Sequence, residues 1–444
     1  MPIPGVRRRW YVLVAVALAA AVAVTAIALT RDNAPVATPG IAGPTSAPAS
    51  PPVPSPSGAV LDSLRVDPTA GGTLLVHGVH PKVPSRCVHP ARPTLDARYP
   101  GSLTVQRASD GTLSLTVQLP FERYLDGIAE VPASWPMAAL RAQAVAARSY
   151  ALAQVGWTGA PGETLSTPIC STTACQVYAG LPTTPSGAAA RWYEAVRTTA
   201  GQILVYRGRP ADTFYFSTSN GQTYGNDQVF GGAPLPYLRP VVERDDGASP
   251  VSRWRVRFPF ADLARFLAAA GDWPGGDTLS SVARGGDVLA LSGDGASRTL
   301  DVSTFERDVD VWAPCLEPNR YPGLGSTGSR LPSAVPSRWF GLRTSGGAAI
   351  LTGRGWGHGV GMVQWGAYGK ARRGLPYGQI LAYYYGGLVP VTFPEPGQIR
   401  VQVAEGLSSV TVRSSTEMII RGNPVGPGPV RIIGGQHLTV TPIP

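Results

Sequence analysis

One segment of this chain has the composition of a long helix, and it limits the folds that the chain can adopt. Residues 135–154 are rich in Ala, Leu, Arg and Gln, with a proline near the start and Ser134 before them as a candidate cap. Apolar side chains recur three or four positions apart along it. Because most of these are alanines, we expect this face to lie close against another stretch of backbone. The positions are Met137, Leu140, Ala144, Ala147 and Ala151.

Most of the remaining sequence is typical of short strands separated by turns. The chain has 53 glycines and 44 prolines among 444 residues and only 15% charged residues, which excludes a coiled coil and a charge-rich disordered protein. Asp110-Gly111 is a hairpin-turn signal directly before a strand-like run. Shorter helices are predicted at 260–270 and 377–385. The predicted class is α+β, with a β-rich entry region (59–118), a main domain (119–387) that contains the one principal helix, and an appended C-terminal β unit (388–444).

The N-terminal residues indicate the compartment. Three arginines, Arg7 to Arg9, precede an uncharged run over residues 10–30, which is long enough to span a bilayer. We expect residues 1–30 to be a cytoplasmic basic tip and a single membrane anchor, and a cleaved signal peptide is the alternative. Residues 31–58, rich in Pro, Ala and Ser, predict a disordered stalk. Both alternatives place the rest of the chain outside the cytoplasm, either at the cell membrane or secreted.

The charge distribution argues against nucleic-acid binding. The formal net charge is +10, but the arginines are spread singly along the chain, and the lysines are only Lys82 and Lys370. A dispersed excess of this kind predicts at most a mild attraction to anionic surfaces.

Four cysteines form an even set, which in an oxidising compartment predicts disulfides. Cys170 and Cys175 enclose four residues and suit a local bridge, which leaves Cys87 to pair with Cys315. A metal site on the two close cysteines is the alternative, but no His, Asp or Glu lies between them or just after them. No metal and no cofactor are predicted.

Glu130 is the candidate acid. It lies among Ile128, Ala129, Val131 and Pro132, just before the principal helix. Desolvation favours the neutral form of a carboxyl group, which is the form that protonates a leaving-group oxygen. The alternative is a helix-entry carboxylate that satisfies backbone amides at the positive end of the helix dipole.

A glycine-rich block over residues 353–367 is the second candidate for chemistry. It interleaves glycine with Trp356, His358 and Gln364. Glycine lets a polymer approach the backbone, tryptophan offers a flat face for a sugar ring, and the two polar side chains can bond hydroxyl or N-acetyl groups. The alternative is a glycine-rich bend with a histidine satisfied in the core. No serine-hydrolase, zincin or nucleotide-binding motif occurs.

Four blocks in this order resemble the stage II sporulation protein D family, over about residues 120–387. They are the segment 122–150, with its Ala-Glu-Val-Pro and its Ala-Gln-Ala-Val-Ala-Ala-Arg-Ser-Tyr helix, then Cys-Gln-Val-Tyr-Ala-Gly at 175–180, Pro-Tyr-Leu at 236–238 and the glycine-rich block. The ordered succession is more specific than any single block.

The resemblance implies a strand-rich domain with a substrate cleft and a peptidoglycan lytic transglycosylase activity. Such an enzyme cuts glycan strands stripped of stem peptides and leaves 1,6-anhydro-muramic ends, with the Glu of a Glu-x-Pro motif, here Glu130, as the single acid and base. The alternative is a non-catalytic wall-binding module that enhances a partner amidase. A third possibility is a metal hydrolase built on Cys170, Cys175 and His358.

The resemblance also implies substrate-binding residues. Arg148 matches the family's helix arginine and is expected to hold either the carboxylate of Glu130 or the substrate. The others are expected to bind sugar rather than to move protons: Ser219, Tyr237, Arg239, His358 and Gln364. The chain departs from the family pattern at Asn220, where a glycine is usual, and at Val363, where a hydroxyl residue is common. It also lacks a zinc-binding histidine beside the paired cysteines, which favours the disulfide.

Overall fold

The computed structural model confirms the α+β class and shows more helix than the sequence predicts. The described residues contain eight helices, and the longest, with 18 residues, lies where the principal helix is predicted. The structure describes residues 62–69, 71–79, 95–160, 163, 165, 167–181, 187–276, 278–324 and 328–443. The helices are α1 (Phe121–Asp126), α2 (Met137–Gln154), α3 (Gly187–Thr198), α4 (Asn226–Val229), α5 (Phe260–Ala270), α6 (Val302–Leu316), α7 (Gln364–Arg372) and α8 (Tyr377–Tyr384).

The strands of the described residues are mostly short. They are β1 (Asp62–Pro68), β2 (Thr73–Val79), β3 (Leu95–Pro100), β4 (Ser102–Arg107), β5 (Leu113–Pro120), β6 (Ile169–Cys170), β7 (Gln202–Ile203), β8 (Val205–Tyr206), β9 (Arg209–Pro210), β10 (Tyr215–Phe216), β11 (Trp254–Pro259), β12 (Ser281–Gly285), β13 (Val288–Gly293), β14 (Ala296–Asp301), β15 (Phe340–Thr344), β16 (Ala348–Gly353), β17 (Met362–Val363), β18 (Val391–Thr392), β19 (Gln398–Leu407), β20 (Ser409–Ser414), β21 (Met418–Ile420), β22 (Asn423–Val425), β23 (Val430–Ile433) and β24 (Thr439–Pro442).

Two large sheets join the beginning and the end of the described chain. The seven-stranded sheet has the order β22-β21-β1-β4-β5-β19-β6, and the five-stranded sheet has the order β24-β23-β20-β2-β3. The apolar faces of both sheets share one core with α1, α2 and α3. Alternating buried residues such as Leu103, Val105 and Val117 form the sheet side of this core.

The strands after residue 388 are therefore not an appended unit, which corrects the prediction. Strand β19 pairs with β5 from Gln398 to Leu407, β20 pairs with β2, and β21 pairs with β1. Local sequence identifies these segments as strands, but an unpaired strand edge gains its hydrogen bonds only from a partner, and here the partners lie about 300 residues earlier in the chain.

A second core lies within residues 251–351. Strands β11, β16 and β15 form one small sheet, and β12, β13 and β14 form another. Helices α5 and α6 pack against them around Phe258, Phe266 and Phe305. Helix α5 coincides with its prediction, whereas α6 is a helix that the sequence analysis does not predict.

Helix α2 lies between two cores, which explains its alanines. Leu140 and Ala147 belong to the core of the large sheets, and Val145 and Ala146 belong to a third core with β10, β17, α7 and α8. The helix is buried nearly all round. The Nε2 of Gln176 donates to the carbonyl of Ala147 at 3.3 Å, so a side chain from another segment contacts the helix backbone. The close approach of a second backbone stays a prediction.

The N-terminal predictions fall outside the described residues. The proposed anchor (1–30), the stalk (31–58) and Cys87 all lie there. Among the helices of the described residues, none combines the length and the apolar character needed to span a bilayer.

Candidate functional site

Glu130 is held in place by a short pairing between two loops. Its segment runs antiparallel to the loop at 177–180, with Ala129 N–H donating to the carbonyl of Val177 and Ala179 N–H donating to the carbonyl of Gly127, both at 2.9 Å. The backbone N–H of Val177 donates to Oε1 of Glu130 at 2.5 Å. The carboxyl group is half-buried. It is thus fixed in position while part of its surface remains open to solvent.

Glu130 does not cap the principal helix. Helix α2 begins at Met137, its N-cap is Pro136, and no side chain bonds the cap. Ser134, the predicted cap, is exposed. The carboxylate therefore serves the neighbouring loop rather than the helix terminus.

A disulfide closes the turn that leads into this loop. Cys170 and Cys175 are bonded, with their Cα atoms 5.6 Å apart, which confirms the predicted local bridge. The enclosed turn returns to the sheet, because Tyr178 N–H donates to the carbonyl of Ser171 at 3.0 Å. Cys315 is also disulfide-bonded, and its predicted partner lies outside the described residues.

The bonded sulfurs remove Cys170 and Cys175 from the set of possible metal ligands. Within the described part of the chain, no group of three or more His, Cys, Asp or Glu side chains has the geometry to hold a metal ion. The metal-hydrolase alternative has no site in these residues.

Gln364 and Glu130, both predicted site residues, lie in contact in the structure. Gln364 is the first residue of α7, and its Nε2 lies 3.5 Å from Oε2 of Glu130 and 3.4 Å from Oε1 of Gln143 on α2. Both contacts are at the long end of the hydrogen-bond range, which is common in active sites without substrate. Three elements, the Glu130 loop, α2 and α7, therefore converge at one point.

Two buried tyrosines extend this site. The hydroxyl of Tyr215 donates to Oε1 of Gln176 at 2.7 Å, and Nε2 of Gln176 donates to the hydroxyl of Tyr124 at 2.5 Å. Burial raises the pKa of both phenols well above the usual value, and the nearby charge of Glu130 raises each further. Both therefore stay protonated across the physiological range and act as hydrogen-bonding groups.

The glycine-rich block packs against the protein's own backbone, not against open space. Trp356 N–H donates to the carbonyl of Thr218 at 2.8 Å, and Met362 N–H donates to that of Phe214 at 3.0 Å. Gly361 has a φ of +77°, and a Cβ there would lie 1.9 Å from the carbonyl oxygen of Phe214. The glycines thus allow close contact with strand β10, which supports the bend alternative for this block.

His358 is engaged inside this contact. Its Nε2 bonds the carbonyl of Tyr215 at 2.9 Å, and its Nδ1 lies 3.1 Å from the backbone N–H of Val360. A carbonyl needs a donor and an N–H needs an acceptor, so the ring is the neutral Nε2–H tautomer. Burial lowers its pKa to about 4, which agrees with this assignment. His358 keeps some exposed surface, but both nitrogens are occupied, so its predicted sugar-binding role is replaced by a structural one.

Arg148 has partners other than the predicted one. The side chain is 0% exposed, and its guanidinium bonds both oxygens of Glu122 at 2.8 and 3.1 Å and lies 3.0 Å from Glu395. It also donates to the carbonyls of Val196 and Gln202, both at 3.3 Å. This corrects the expected pairing with Glu130: the arginine ties α1, α2 and the segment before β19 together.

Ser219, Tyr237 and Arg239, which the resemblance implies as sugar-binding residues, have different surroundings in the structure. Ser219 is buried and its hydroxyl donates to Asp246 at 2.7 Å. Tyr237 is buried, and its hydroxyl accepts the N–H of Asp212 at 3.0 Å. Arg239 is exposed. The first two hold loops in place, and Arg239 is the one that faces solvent.

A buried ion network fixes α7, which carries Gln364. Nζ of Lys370 lies 3.0 Å from both oxygens of Glu243 and 2.9 Å from Asp245. The side chain of Lys370 is 3% exposed. Asp246, in the same loop as Glu243 and Asp245, accepts from Ser219, so this loop positions both Ser219 and α7.

A cavity of about 490 Å³ lies away from these groups, on the seven-stranded sheet. Gln118, Gln398 and Arg400 are among its lining residues, and Glu130 is not. The predicted substrate cleft at Glu130 remains a prediction.

Comparison with known proteins places this arrangement in a family. The family model described as "SpoIID: Stage II sporulation protein" matches residues 109–206. An uncharacterized protein of Brachyspira hyodysenteriae is 30% identical over 294 residues, 65% of this chain and 71% of the relative. The stage II sporulation protein D of Bacillus subtilis is 27% identical over 65% of this chain and 78% of its own length. The chain belongs to the stage II sporulation protein D family.

Another relative carries a different name. The amidase enhancer of Bacillus subtilis is 28% identical over 293 residues, 58% of this chain and 38% of that protein. The family therefore includes proteins named for sporulation and a protein named for amidase enhancement.

Several residues of the site are not singled out by the sequence. Most of them lie in the segment that matches the stage II sporulation protein D model. Gln143 and Gln176 lie in it, as does Tyr124, whereas Tyr215 lies beyond its end. The signal for Gln143 is an amide in the middle of an alanine run that is otherwise apolar on that side. Gln176 adjoins the paired cysteines in a block that the resemblance already includes.

Proposed function

We propose that this chain is a peptidoglycan lytic transglycosylase in which Glu130 is the single acid and base. The observation that supports this most directly is the placement of one half-buried carboxyl group where the backbone N–H of Val177 and the amide of Gln364 meet it. Positioned donors of this kind hold a carboxyl group at a defined angle to a bound substrate.

The chemistry needs one carboxyl group in two successive roles. Protonated Glu130 gives its proton to the glycosidic oxygen as the bond from that oxygen to C1 breaks, which leaves an oxocarbenium-like sugar. The carboxylate then takes the proton from the 6-hydroxyl of the same sugar while that oxygen bonds C1. The products are a new chain end and a 1,6-anhydro ring. No water is consumed, and Glu130 ends protonated as it began.

Aromatic side chains next to Gln364 support a sugar substrate. Trp365 and Tyr368 are half-buried, and the ring of Trp365 lies 4.9 Å from that of Trp135 and 5.2 Å from that of Tyr368. Partly open aromatic faces suit the apolar side of a sugar ring. We propose that these rings, with Gln364, bind the glycan, and that the exposed Arg239 contacts it or its substituents.

Digestion of amidase-treated glycan strands by the purified full-length protein tests the proposal. We expect anhydro-ended fragments in the mass spectrum from the wild type, and a rate lower by at least ~100-fold for Glu130→Gln, the usual contribution of general acid–base catalysis. Glu194→Gln, an exposed carboxylate on α3, is the matched control and is expected to act like the wild type. Equal rates in Glu130→Gln and wild type would remove Glu130 from the mechanism.

A non-catalytic role is the second candidate, because a relative bears the name amidase enhancer. It predicts no cleavage by either protein in the same assay. It also predicts that wild type and Glu130→Gln stimulate a cell-wall amidase equally. Cleavage by the wild type alone would exclude it as the sole function.

We also propose that the protein acts outside the cytoplasmic membrane, with its N-terminal region as anchor or signal. The sequence motivation is the arginine cluster followed by the uncharged run at 10–30. Degradation by protease added to intact wall-stripped cells is the expected result, and full protection would contradict this location.

A further inference from the structure

Gln143 is an unusual residue within the site. It is 1% exposed on α2, and its Oε1 accepts from Gln364. Its Nε2, by contrast, is buried without a hydrogen-bond partner among the described groups. Buried amide donors are nearly always bonded, so an unpaired one next to a candidate catalytic carboxyl group needs an explanation.

The orientation of Gln364 suits only one protonation state of Glu130. Its Nε2 faces two oxygens, Oε2 of Glu130 at 3.5 Å and Oε1 of Gln143 at 3.4 Å. This amide therefore donates to both, which favours a carboxylate at Glu130. A proton on Oε2 leaves that oxygen a weaker acceptor, and an O–H directed at Gln364 would oppose donor to donor, so protonation weakens the contact.

We propose that Gln143 and Gln364 form an amide switch that reverses with the protonation of Glu130, an inference that rests on the proposed function. In the reversed arrangement both amides are turned over. The carbonyl of Gln364 accepts the O–H of Glu130 and also an N–H of Gln143. The amino group of Gln143 that is unpaired in the present arrangement is the donor that the reversed arrangement uses.

The switch answers a requirement of single-carboxyl catalysis. One group must act first as an acid and then as a base. A hydrogen-bond donor in a fixed position would favour only the carboxylate, which is the form that acts as a base. Two linked amides offer a donor to the carboxylate and an acceptor to the acid, with no charged residue involved. Gln143 acts through Gln364, so it is a positioning residue. Because the contacts are long, little bonding is lost when the amides turn.

The groups that the structure describes beside Glu130 do not compete with it for the proton. From α1 and β10 these are the phenols of Tyr124 and Tyr215, which burial keeps protonated. From the loop that follows the disulfide the group is the backbone N–H of Val177. From α2 and α7 the groups are the two amides. In the proposed reaction, Glu130 is the member of this set that gains and loses the proton.

Nuclear magnetic resonance of the full-length protein tests the switch without substrate. With ¹⁵N in glutamine side chains and ¹³C in glutamate carboxyls, Glu130→Gln, Gln143→Met and Gln364→Met identify the three signals. We expect the amide signals of Gln143 and Gln364 to shift together, in the same pH step as the carboxyl carbon of Glu130. In Glu130→Gln this step should be absent from both amides.

The results separate the switch from the proposed function. A shift of Gln364 alone, or of neither amide, would overturn the switch even in an active enzyme. A joint shift in a protein that does not cleave glycan would support the switch and overturn the transglycosylase proposal.

Kinetics give a second measurement. Gln143→Met should lower kcat by ~10-fold with KM within ~2-fold of wild type, as expected for a residue that acts on the chemical step. Ser149→Ala is the matched control, because Ser149 is also buried on α2 but bonds the carbonyl of Val145 and the N–H of Leu204. It should lose stability and keep kcat. An unchanged kcat in folded Gln143→Met would overturn the positioning role.

Discussion

Two glutamates eight positions apart have opposite surroundings. Glu122, on α1, bonds the buried guanidinium of Arg148 through both oxygens. Glu130, just after α1, meets the backbone N–H of Val177 and the neutral amide of Gln364. Both kinds of partner favour the carboxylate form, but a buried cation also ties helices together, whereas neutral N–H donors bind the carboxylate less strongly. Glu122 therefore serves the fold, whereas Glu130 is the carboxyl group that is suited to chemistry.

The Glu122 side is a strong structural cluster. Arg148 is 0% exposed and carries two carboxyl partners, Glu122 and Glu395, whose side chains are 35% and 19% exposed. Removing one member of a buried ion cluster costs more than the cluster contributes, because the remaining charges lose their compensation.

The largest expected effect is that of Arg148→Met. It leaves Glu122 and Glu395 facing each other without a cation and removes the bonds to the carbonyls of Val196 and Gln202. We expect the free energy of unfolding to fall by about 3–5 kcal/mol. Urea denaturation of the full-length protein measures this loss.

The control for Arg148→Met comes from the other glutamate. Glu130→Gln should change the free energy of unfolding by less than about 0.5 kcal/mol, because the N–H of Val177 and the amide of Gln364 are neutral groups and Glu130 is half-buried. Similar decreases in the free energy of unfolding for Arg148→Met and Glu130→Gln would show that the surroundings of Glu122 and Glu130 do not differ in their structural role.

The second prediction concerns the loop that holds Glu130. Replacing Cys170 and Cys175 together by serine opens a closed loop of six residues, for which the loss of chain constraint is worth about 2 kcal/mol. The N–H of Val177 then loses its fixed position, so we expect a drop in the free energy of unfolding together with ~10-fold slower glycan cleavage. Slower cleavage without a stability loss would not fit this explanation. Unchanged cleavage would mean that loop pairing alone positions Glu130.

The smallest expected effect is a pH dependence at Glu395. Burial, followed by the charge of Glu122, raises the pKa of Glu395 from 4.5 to about 7. Between those values the unfolded state has lost the proton that the folded state still holds. The contribution of protonated Glu395 to the free energy of unfolding is therefore complete below about pH 4.5, and it is lost as the pH rises through 7.

Comparison of wild type with Glu395→Gln isolates this contribution. The difference between their free energies of unfolding should change by about 1–2 kcal/mol from pH 5 to pH 8, after allowance for solvent screening. Carboxyl groups that do not interact with Glu395 contribute equally to both proteins and cancel, so the difference reports on Glu395 and its neighbour Glu122. A difference that does not vary with pH would remove Glu395 from the proton-linked part of the cluster.

The sequence predicted elements whose signals are local. Helices α2, α5 and α8, strand β5 after Asp110-Gly111 and the Cys170–Cys175 bridge follow from composition, spacing and turn residues. Helix α7 was missed because Gly366 and Gly369 disfavour a helix in isolation. There a Cβ would lie 2.2 Å from the hydroxyl of Tyr384 and 2.0 Å from the carbonyl of Asp245, so close packing requires glycine.

The roles predicted for the site residues depend on contacts between distant parts of the chain, and the structure supports only some of them. Glu130 and Gln364 lie together although 234 residues separate them, whereas Arg148 and His358 bond other groups. Motif membership does not reveal whether a polar side chain faces an open site or a neighbouring segment. His358 illustrates this, since both of its ring nitrogens bond the protein's own backbone.

By itself the sequence determined the class of the fold, the family, the principal helix and the candidate acid, because those depend on residue types and spacing along the chain. Only the tertiary structure decided which carboxyl group receives the arginine and which receives the amides. It also decided that the C-terminal strands complete the sheets begun by the first described strands. The reason is physical: hydrogen-bond partners and burial come from segments hundreds of residues apart, and packing alone brings these together.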